Sequence, residues 1–144
     1  MKFSSKEQYG LRMMVEVARH EGHGPVPLSH VAEAEQLPLP YLEQIIMLLR
    51  QADLLHSLRG AHGGYILART PKEISVGDII RALEGTIVPI PCVTEEFCAP
   101  CGREDTCAAR NVWELVHNRL VEALDSMTLA DLLHPGGHGD RIYR

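Results

Sequence analysis

Four cysteines are the residues of this chain best suited to bind a metal or to carry out redox chemistry. Cys92, Cys98, Cys101 and Cys107 all lie within sixteen residues. Clustered cysteines in a reducing cytosol more often bind metal or act in redox chemistry than form a structural disulfide. Thiolates are soft ligands that suit iron–sulfur clusters, and Cys98-x2-Cys101 also has a spacing typical of zinc sites. The sequence therefore predicts a metal- or cluster-binding loop, which we bound at residues 87–107.

Three histidines, His20, His23 and His30, form the other group of possible ligands or catalytic residues. They lie around a Gly/Pro turn without an evident carboxylate partner, so we expect them to be exposed to solvent. No other set of residues resembles a catalytic site. We therefore predict that the protein is not an enzyme.

The composition fits a single folded unit. The chain has 144 residues, of which 45% are hydrophobic, and this is enough to form a core. Residues 1–70 contain seven Lys and Arg and seven Asp and Glu, so this half has a net charge of zero. Residues 71–144 contain seven Lys and Arg and twelve Asp and Glu, so that half has a net charge of −5. The first half is therefore the better partner for a polyanion. We find no apolar run of about 18 residues and no signal segment, and we expect a cytoplasmic protein that does not enter a membrane.

The N-terminal half predicts three short helices. Ser4 and Glu7 have the spacing of a capping box at the start of the first helix. We expect Ser29 to cap the second helix. The prolines of Leu37–Pro40 make a stiff turn, and the third helix begins near Pro40.

The third helix is amphipathic, and a hairpin follows it. One stripe of this helix is apolar and the opposite side carries Pro40, Glu43, Gln44 and Met47; the stripe consists of Leu42, Ile45, Ile46 and Leu49. Strand-like residues 54–59 and 65–69 flank a glycine-rich turn. A helix-turn-helix followed by a β-hairpin is a winged helix, in which Arg59 lies at the base of the hairpin tip. The predicted fold class is thus mainly α with a small β-hairpin, a winged helix-turn-helix domain with a long dimerisation helix.

The C-terminal half predicts further helices. We expect Ser75 to cap a short helix that ends at Gly85, and Thr128 to cap a last turn. Residues 108–124 form a long helix whose apolar face needs a partner, which favours a symmetric homodimer; the face consists of Trp113, Val116, Leu120 and Leu124. We divide the chain into a winged-helix domain (1–86), the cysteine loop (87–107), a dimerisation helix with its C-terminal turn (108–133) and a disordered tail (134–144).

The chain resembles the IscR/NsrR, or Rrf-two, family of winged-helix regulators in the stretches PVPLSHVAEAEQLPLPYLEQI, LLHSLRGAHGGYILAR, ISVGDIIRALEG and CAARNVWEL. These are bacterial dimeric repressors and activators, several of which carry an iron–sulfur cluster. The resemblance implies that Pro40–Gln51 is the recognition helix, with Tyr41, Glu43 and Gln44 facing the DNA major groove and Arg59 entering the minor groove. Gln44 can pair with adenine and Glu43 can accept from cytosine. Pro40 departs from close relatives, which have a small polar residue there.

The resemblance also implies a set of cluster ligands. Cys92, Cys98 and Cys107 align with the three cluster thiolates of the family. A 2Fe-2S cluster is favoured over a 4Fe-4S cluster, and zinc is the alternative. For the fourth ligand we rank Cys101 first and Gln8 second, with an external ligand also open. Arg110 stands where a relative has a ligating His and cannot serve.

Two functions follow as expectations. The leading one is a transcription regulator that binds a palindromic DNA operator under the control of its cluster, which senses iron–sulfur status, redox state or nitric oxide. The other is a clusterless or zinc-binding regulator controlled by thiol oxidation or by a partner protein.

Overall fold

The computed structural model describes residues 2–93 and 101–134. Within these ranges the chain is mainly helical, with one two-stranded antiparallel sheet. The helices are α1 (Ser5–Arg19), α2 (Leu28–Glu35), α3 (Leu39–Gln51), α4 (Val76–Glu84), α5 (Ala108–Ser126) and α6 (Leu129–Leu133). The strands are β1 (Leu55–Leu58) and β2 (Gly64–Leu67), and Pro71–Glu73 and Pro91–Val93 form short 3-10 turns. The predicted fold class is confirmed.

Side-chain caps fix the starts of three helices where the sequence predicted them. Ser4 caps α1 in a capping box with Glu7, and Ser75 and Thr128 cap α4 and α6 in the same way. Such a cap pairs backbone N–H groups that have no partner inside the helix. Gly85 ends α4 with φ +83°, as expected of a glycine in that position.

The cap predicted for α2 is wrong. This helix begins at Leu28 with Pro27 in the N-cap position, and no side chain caps it. The carbonyl oxygen of Pro27 accepts from the N–H groups of His30 and Val31, at 3.0 and 3.3 Å. Ser29 is therefore the second residue of the helix and not its N-cap, and it lies exposed in the first turn.

The hairpin pairs Leu55 with Leu67 and Leu58 with Gly64. Val26 adds a third extended residue beside it, because its N–H and C=O both bond to Tyr65 at 2.9 Å. A Cβ at Gly64 would overlap the carbonyl group of Val26. The close approach of these two backbones thus requires glycine at position 64.

One core joins α1, α2, α3, α4 and α6. The apolar stripe predicted on α3 is buried in it, with Leu42, Ile45 and Leu49 at 0% exposure and Ile46 at 4%. Met13 and Met14 of α1, Ile79 of α4 and Leu129 of α6 complete its centre. Burial of large apolar side chains contributes about 1.5–3 kcal/mol each, so this core holds α3 by its inner face and leaves the outer face free for contacts.

A second, smaller cluster attaches α5 to this unit. Val76, Ile80 and Ile87 are buried there, and the half-buried Leu120 and Leu124 of α5 pack against them. We expected the chain to be unable to cover these two leucines without a partner subunit, and this expectation is wrong, since they pack within their own chain. The opposite end of α5 stays apolar and exposed. No helix within residues 2–93 and 101–134 is long and apolar enough to cross a membrane.

The four-part division of the chain stays a prediction. The predicted tail begins at His134, which is exposed, and its remaining residues lie outside the described ranges.

Candidate DNA-binding surface and cysteine loop

The turn between α2 and α3 sets the angle of the helix-turn-helix. Gln36 ends α2 in the left-handed conformation, at φ +54° and ψ +47°. The N–H of Leu37 then donates to the carbonyl oxygen of Ala32 at 2.9 Å, and the Leu37 side chain is buried. A left-handed residue followed by a buried apolar one is a common helix end, and it anchors the chain just before Pro38, the N-cap residue of α3.

The outer face of α3 is available to a ligand. Glu43, Gln44 and Met47 are exposed, and Met47 reaches 58% exposure. Neither Glu43 nor Gln44 forms a side-chain hydrogen bond or ion pair with any residue the structure describes. The two polar side chains predicted to read base edges therefore lie together on one free surface of the helix.

Tyr41, the third residue predicted for the major groove, has a different environment. Its ring is half-buried and meets the ring of Tyr9 edge to face, with centroids 5.6 Å apart and an angle of 80°. The Arg12 guanidinium lies 6.0 Å from the centroid of Tyr9. Tyr41 thus has a structural role, since its ring contact helps to hold the N-terminus of α3 on α1.

Arg59 lies in the turn that connects the two strands of the hairpin. It follows β1 directly, is exposed, and precedes Gly60, which has φ +123°. Within the described part of the chain no carboxylate pairs with Arg59. The hairpin therefore presents a cation at its end, as the wing of a DNA-binding domain requires.

A groove between α3 and β1 contains residues that the sequence analysis did not single out. It encloses about 580 Å³ and is lined by Met47, Arg50, Gln51, Leu55, His56 and Ser57. Arg50 is exposed and lies seven residues after Glu43, on the same side of the helix. The helical spacing of positions 43, 47 and 50 is the signal that would have found it.

The cysteine loop is only partly described. Cys92 is half-buried in the 3-10 turn beside α5, Cys101 is exposed, and Cys107 is exposed at the N-cap of α5. Cys98 lies outside the described residues. Among those described, the one group of three metal-ligating atoms within 4.8 Å of one another does not include a cysteine. The sulfurs of Cys92, Cys101 and Cys107 therefore do not all lie within 4.8 Å of one another.

The two other positions considered for the fourth ligand lie on different helices. Arg110 is in the first turn of α5, where its Nε donates to Glu114 Oε1 at 2.7 Å. Gln8 is exposed on α1 and donates from Nε2 to the carbonyl oxygen of Phe3 at 3.2 Å. Gln8 is thus accessible to another molecule.

Comparison with known proteins identifies the family. A family model described as Rrf2, iron-dependent transcriptional regulator, matches residues 3–135. The HTH-type transcriptional regulator IscR of Sodalis glossinidius is 37% identical over 133 residues, covering 92% of this chain and 79% of that protein. The chain belongs to the Rrf2 family.

Solved structures agree with this family. The structure of CymR, described as the global cysteine regulator of B. subtilis, is 42% identical with a TM-score of 0.76, and the match covers 92% of this chain and 96% of that one. The structure described as T. potens IscR is 43% identical with a TM-score of 0.77, covering 100% and 93%. The family resemblance is confirmed, and the chain is a DNA-binding transcription regulator of the Rrf2 family. Its relatives are regulators, which are not enzymes.

The turn after Cys101 in this Rrf2 regulator is closed by a carboxylate. The pKa of Glu104 lies below its ordinary value because its own backbone N–H and then that of Cys101 hydrogen-bond to it. The bond from the Cys101 N–H measures 2.9 Å. Glu104 therefore remains ionised and fixes the backbone next to one candidate ligand.

The histidines near the first turn are not as predicted. Glu16 of α1 lies between His20 and His30, at 3.6 and 3.3 Å from their ring nitrogens. The expectation that they lack a carboxylate partner is wrong, because a residue one helical turn before His20 supplies it. His23 is exposed, and its ring Nδ1 lies 3.1 Å from the carbonyl oxygen of Glu21, outside this group.

Proposed function

We propose that the protein binds a palindromic DNA operator as a homodimer, and that an iron–sulfur cluster held by the cysteine loop controls this binding. The observation that supports the DNA contact is the exposed polar face of α3 beside a hairpin whose tip side carries Arg59, a cation that pairs with no carboxylate of the described residues. Gln44 would pair with adenine and Glu43 would accept from cytosine, while Arg59 would neutralise phosphate or minor-groove charge. Arg50, at the groove between α3 and β1, adds a second cation at this surface.

Two substitutions separate these roles once an operator has been selected from random DNA. Arg59→Ala should weaken binding to all sequences and reduce the salt slope by about one, because it removes a sequence-independent charge contact. Gln44→Ala should instead lose about 1–3 kcal/mol of discrimination at one base pair. Lys72→Ala is the matched charge control, since Lys72 lies exposed in the 3-10 turn that packs against α6. Wild-type binding by both Arg59→Ala and Gln44→Ala would refute this surface.

The exposed end of α5 supports the homodimer. Val112 and Leu115 are 54% and 58% exposed, and Trp113 and Val116 are 39% and 38% exposed. Four large apolar side chains on two successive turns form a surface that a second copy of the chain would cover. Leu120 and Leu124 do not belong to it, because they pack within their own chain.

The dimer test should therefore use the exposed end of the helix. Val112→Glu with Val116→Glu should leave the far-UV spectrum unchanged but give a monomer by sedimentation and weaken operator binding. Ala123→Glu, at an exposed position on the same helix, controls for the added charge. A double variant that still sediments as a dimer would contradict the interface.

The cysteines carry the proposal of a cluster. Their donor chemistry fits, because thiolates bind iron and the loop that carries them joins α5 directly at Cys107. Cys92, Cys98 and Cys107 would hold the cluster, with Cys101 as fourth ligand ahead of Gln8 or an external group. When bound, a 2Fe-2S cluster would supply iron–thiolate bonds that fix the loop. Since Cys107 occupies the N-cap position of α5, an ordered loop would orient this helix and thereby the two recognition helices of a dimer.

Anaerobic reconstitution followed by iron and sulfide analysis tests this proposal. Serine at position 92, 98 or 107 should each abolish or strongly reduce cluster content. Cys101→Ala should shift the visible spectrum if Cys101 is the fourth ligand; an unchanged spectrum would transfer that role to Gln8 or an external ligand. Full iron and sulfide in all three serine variants would refute the site.

A second candidate function is a regulator controlled by thiol oxidation, by zinc or by a partner protein. Two observations favour it: Cys101 and Cys107 are free and exposed, and one relative is described as a cysteine regulator. A chain that shows no visible absorption after anaerobic reconstitution would fit this function. One zinc per chain that is lost when the cysteines are replaced, or operator affinity that changes on reversible thiol oxidation, would then identify which form of control applies.

A further inference from the structure

We propose that Glu16, His20 and His30 form a binding site for a divalent transition-metal ion, and that zinc is the ion they fit best. The site joins the C-terminal end of α1 to the start of α2. It shares no residue with the cysteine loop, and it is the one group of three ligating atoms within 4.8 Å in the described ranges.

The distances match those between ligands of a single zinc ion. Glu16 Oε1 lies 3.3 Å from His30 Nε2 and 3.6 Å from His20 Nδ1. Zinc binds nitrogen and oxygen at about 2.0–2.2 Å, so neighbouring ligands of a tetrahedral ion lie roughly 3.3–3.6 Å apart. The ligating atoms of His20 and His30 lie within 4.8 Å of each other, so rotation of the exposed His30 side chain would bring all three atoms around one ion.

The carboxylate is held in place before an ion binds. The side chain of Glu16 is only 7% exposed, and its Oε2 accepts from Arg19 Nη1 at 2.9 Å. That bond occupies one oxygen and leaves Oε1 directed at the two imidazoles. Arg19 also pairs with Glu35 at 3.4 Å, and Glu35 pairs with Arg12 at 3.0 Å. The negative charges of Glu16 and Glu35 equal the positive charges of Arg12 and Arg19. The network around the site therefore has no net positive charge that would repel a cation.

The two imidazoles complete the donor set. Their ring planes stand at 82° with centroids 5.0 Å apart, and their side chains are 37% and 47% exposed. His20 Nδ1 also lies 3.0 Å from the carbonyl oxygen of Glu16, a contact that a coordinate bond would replace. Two histidines and one carboxylate with an open side is the donor set of a zinc ion that keeps a water ligand. Such an ion would tie the first helix of the helix-turn-helix to α1.

The test uses untagged full-length protein and zinc alone. Because cysteines also bind zinc, the chain with Cys92, Cys98, Cys101 and Cys107 all replaced by serine is compared with wild type. We expect one zinc per chain in the serine background by equilibrium dialysis. Cobalt in the same background should give weak visible bands without thiolate charge-transfer absorption.

His30→Gln is the decisive variant, because His30 is exposed and its replacement leaves the core intact. It should lower zinc affinity more than about tenfold, since even an outer-shell partner commonly contributes that much. His23→Gln is the matched control, a histidine of the same turn outside the cluster, and should bind like its parent. Glu16→Gln should abolish binding, but the buried position makes His30→Gln the safer comparison.

The ring signals of His20 and His30 in the NMR spectrum should shift when zinc is added, whereas that of His23 should not. Absence of zinc from the serine background would overturn the site. Equal affinity in His30→Gln and His23→Gln would do the same.

Discussion

The contact between α4 and α5 at Gly77 gives a prediction that tests how the long helix is held. Both carboxylate oxygens of Asp125 accept from Arg81, each at 2.7 Å. A Cβ added at Gly77 would overlap Oδ1 of Asp125, and it would lie 3.0 Å from its Cγ and 2.9 Å from Arg81 Nη1. Gly77→Ala must therefore displace the carboxylate and break this bidentate pair.

Two opposing effects decide the sign of the change in stability. Alanine in place of glycine inside a helix stabilises it by about 1 kcal/mol. Against this, overpacking costs about 1–3 kcal/mol, and loss of an exposed ion pair costs about 0.2–1 kcal/mol. The Arg81 and Asp125 side chains are 38% and 41% exposed, so solvent screens the pair and the lower part of its range applies. The ends of two flexible, partly exposed side chains rather than backbone must move, so the overpacking cost also lies at the low end of its range. The opposing effects then nearly cancel, and we expect Gly77→Ala to destabilise by less than about 0.5 kcal/mol.

The same substitution should clearly stabilise the protein once Asp125 is removed. In an Asp125→Ala background the obstacle is gone, and Gly77→Ala should stabilise the protein by about 1 kcal/mol through helix propensity alone. The double-mutant cycle should therefore give a coupling energy of about 1 kcal/mol between positions 77 and 125.

Urea unfolding of the four proteins at pH 7 measures this coupling. The protein concentration must be the same for all four, because dimerisation would add to the apparent stability. If Gly77→Ala stabilises both backgrounds equally, the close contact between α4 and α5 is refuted.

Three further predictions concern the local structure. The hydrogen bond from Arg81 holds the pKa of Asp125 below its ordinary value, so Asp125→Asn should lose about 0.2–1 kcal/mol of stability at pH 7; this difference should vanish as the pH falls through the lowered pKa. Thr128→Ala should destabilise by about 1 kcal/mol in thermal unfolding, whereas Ser29→Ala, which removes no cap, should be neutral. Tyr41→Phe should keep wild-type thermal stability because it preserves the ring contact, whereas Tyr41→Ala should lower it.

Local signals in the sequence predicted most of the fold. The capping pairs at Ser4, Ser75 and Thr128 depend only on residues three positions apart, and the stripe on α3 depends only on helical period. The prediction of Ser29 as a cap failed because the fixed φ of Pro27 already suits a helix start. Serine is a common N-cap residue, but here Pro27 rather than Ser29 sets the first residue of α2.

Contacts between distant segments could not be predicted in the same way. The periodicity of α5 identified an apolar face, but not that Leu120 and Leu124 pack on α4 while Val112 and Val116 remain exposed. The Glu16–His20 spacing of four residues was visible in the sequence, whereas its meeting with His30 depends on how α2 packs on α1. For the cysteines, residue type predicted thiolate donors, but the distances between sulfurs depend on the path of the backbone, which local spacing does not determine.

The distribution of charge links the DNA surface to the proposed dimer. Arg12 and Arg19 of the N-terminal half are engaged with Glu35 and Glu16, so they are less available to phosphate. Arg50 and Arg59 form no ion pair with a described residue, and they lie beside the outer face of α3. Two such cations give a single chain few phosphate contacts, and the exposed carboxylate of Glu43 works against non-specific binding. Two chains on one duplex would double the favourable contacts at a high effective concentration, so under the proposed function we expect strong operator binding only when the exposed end of α5 pairs.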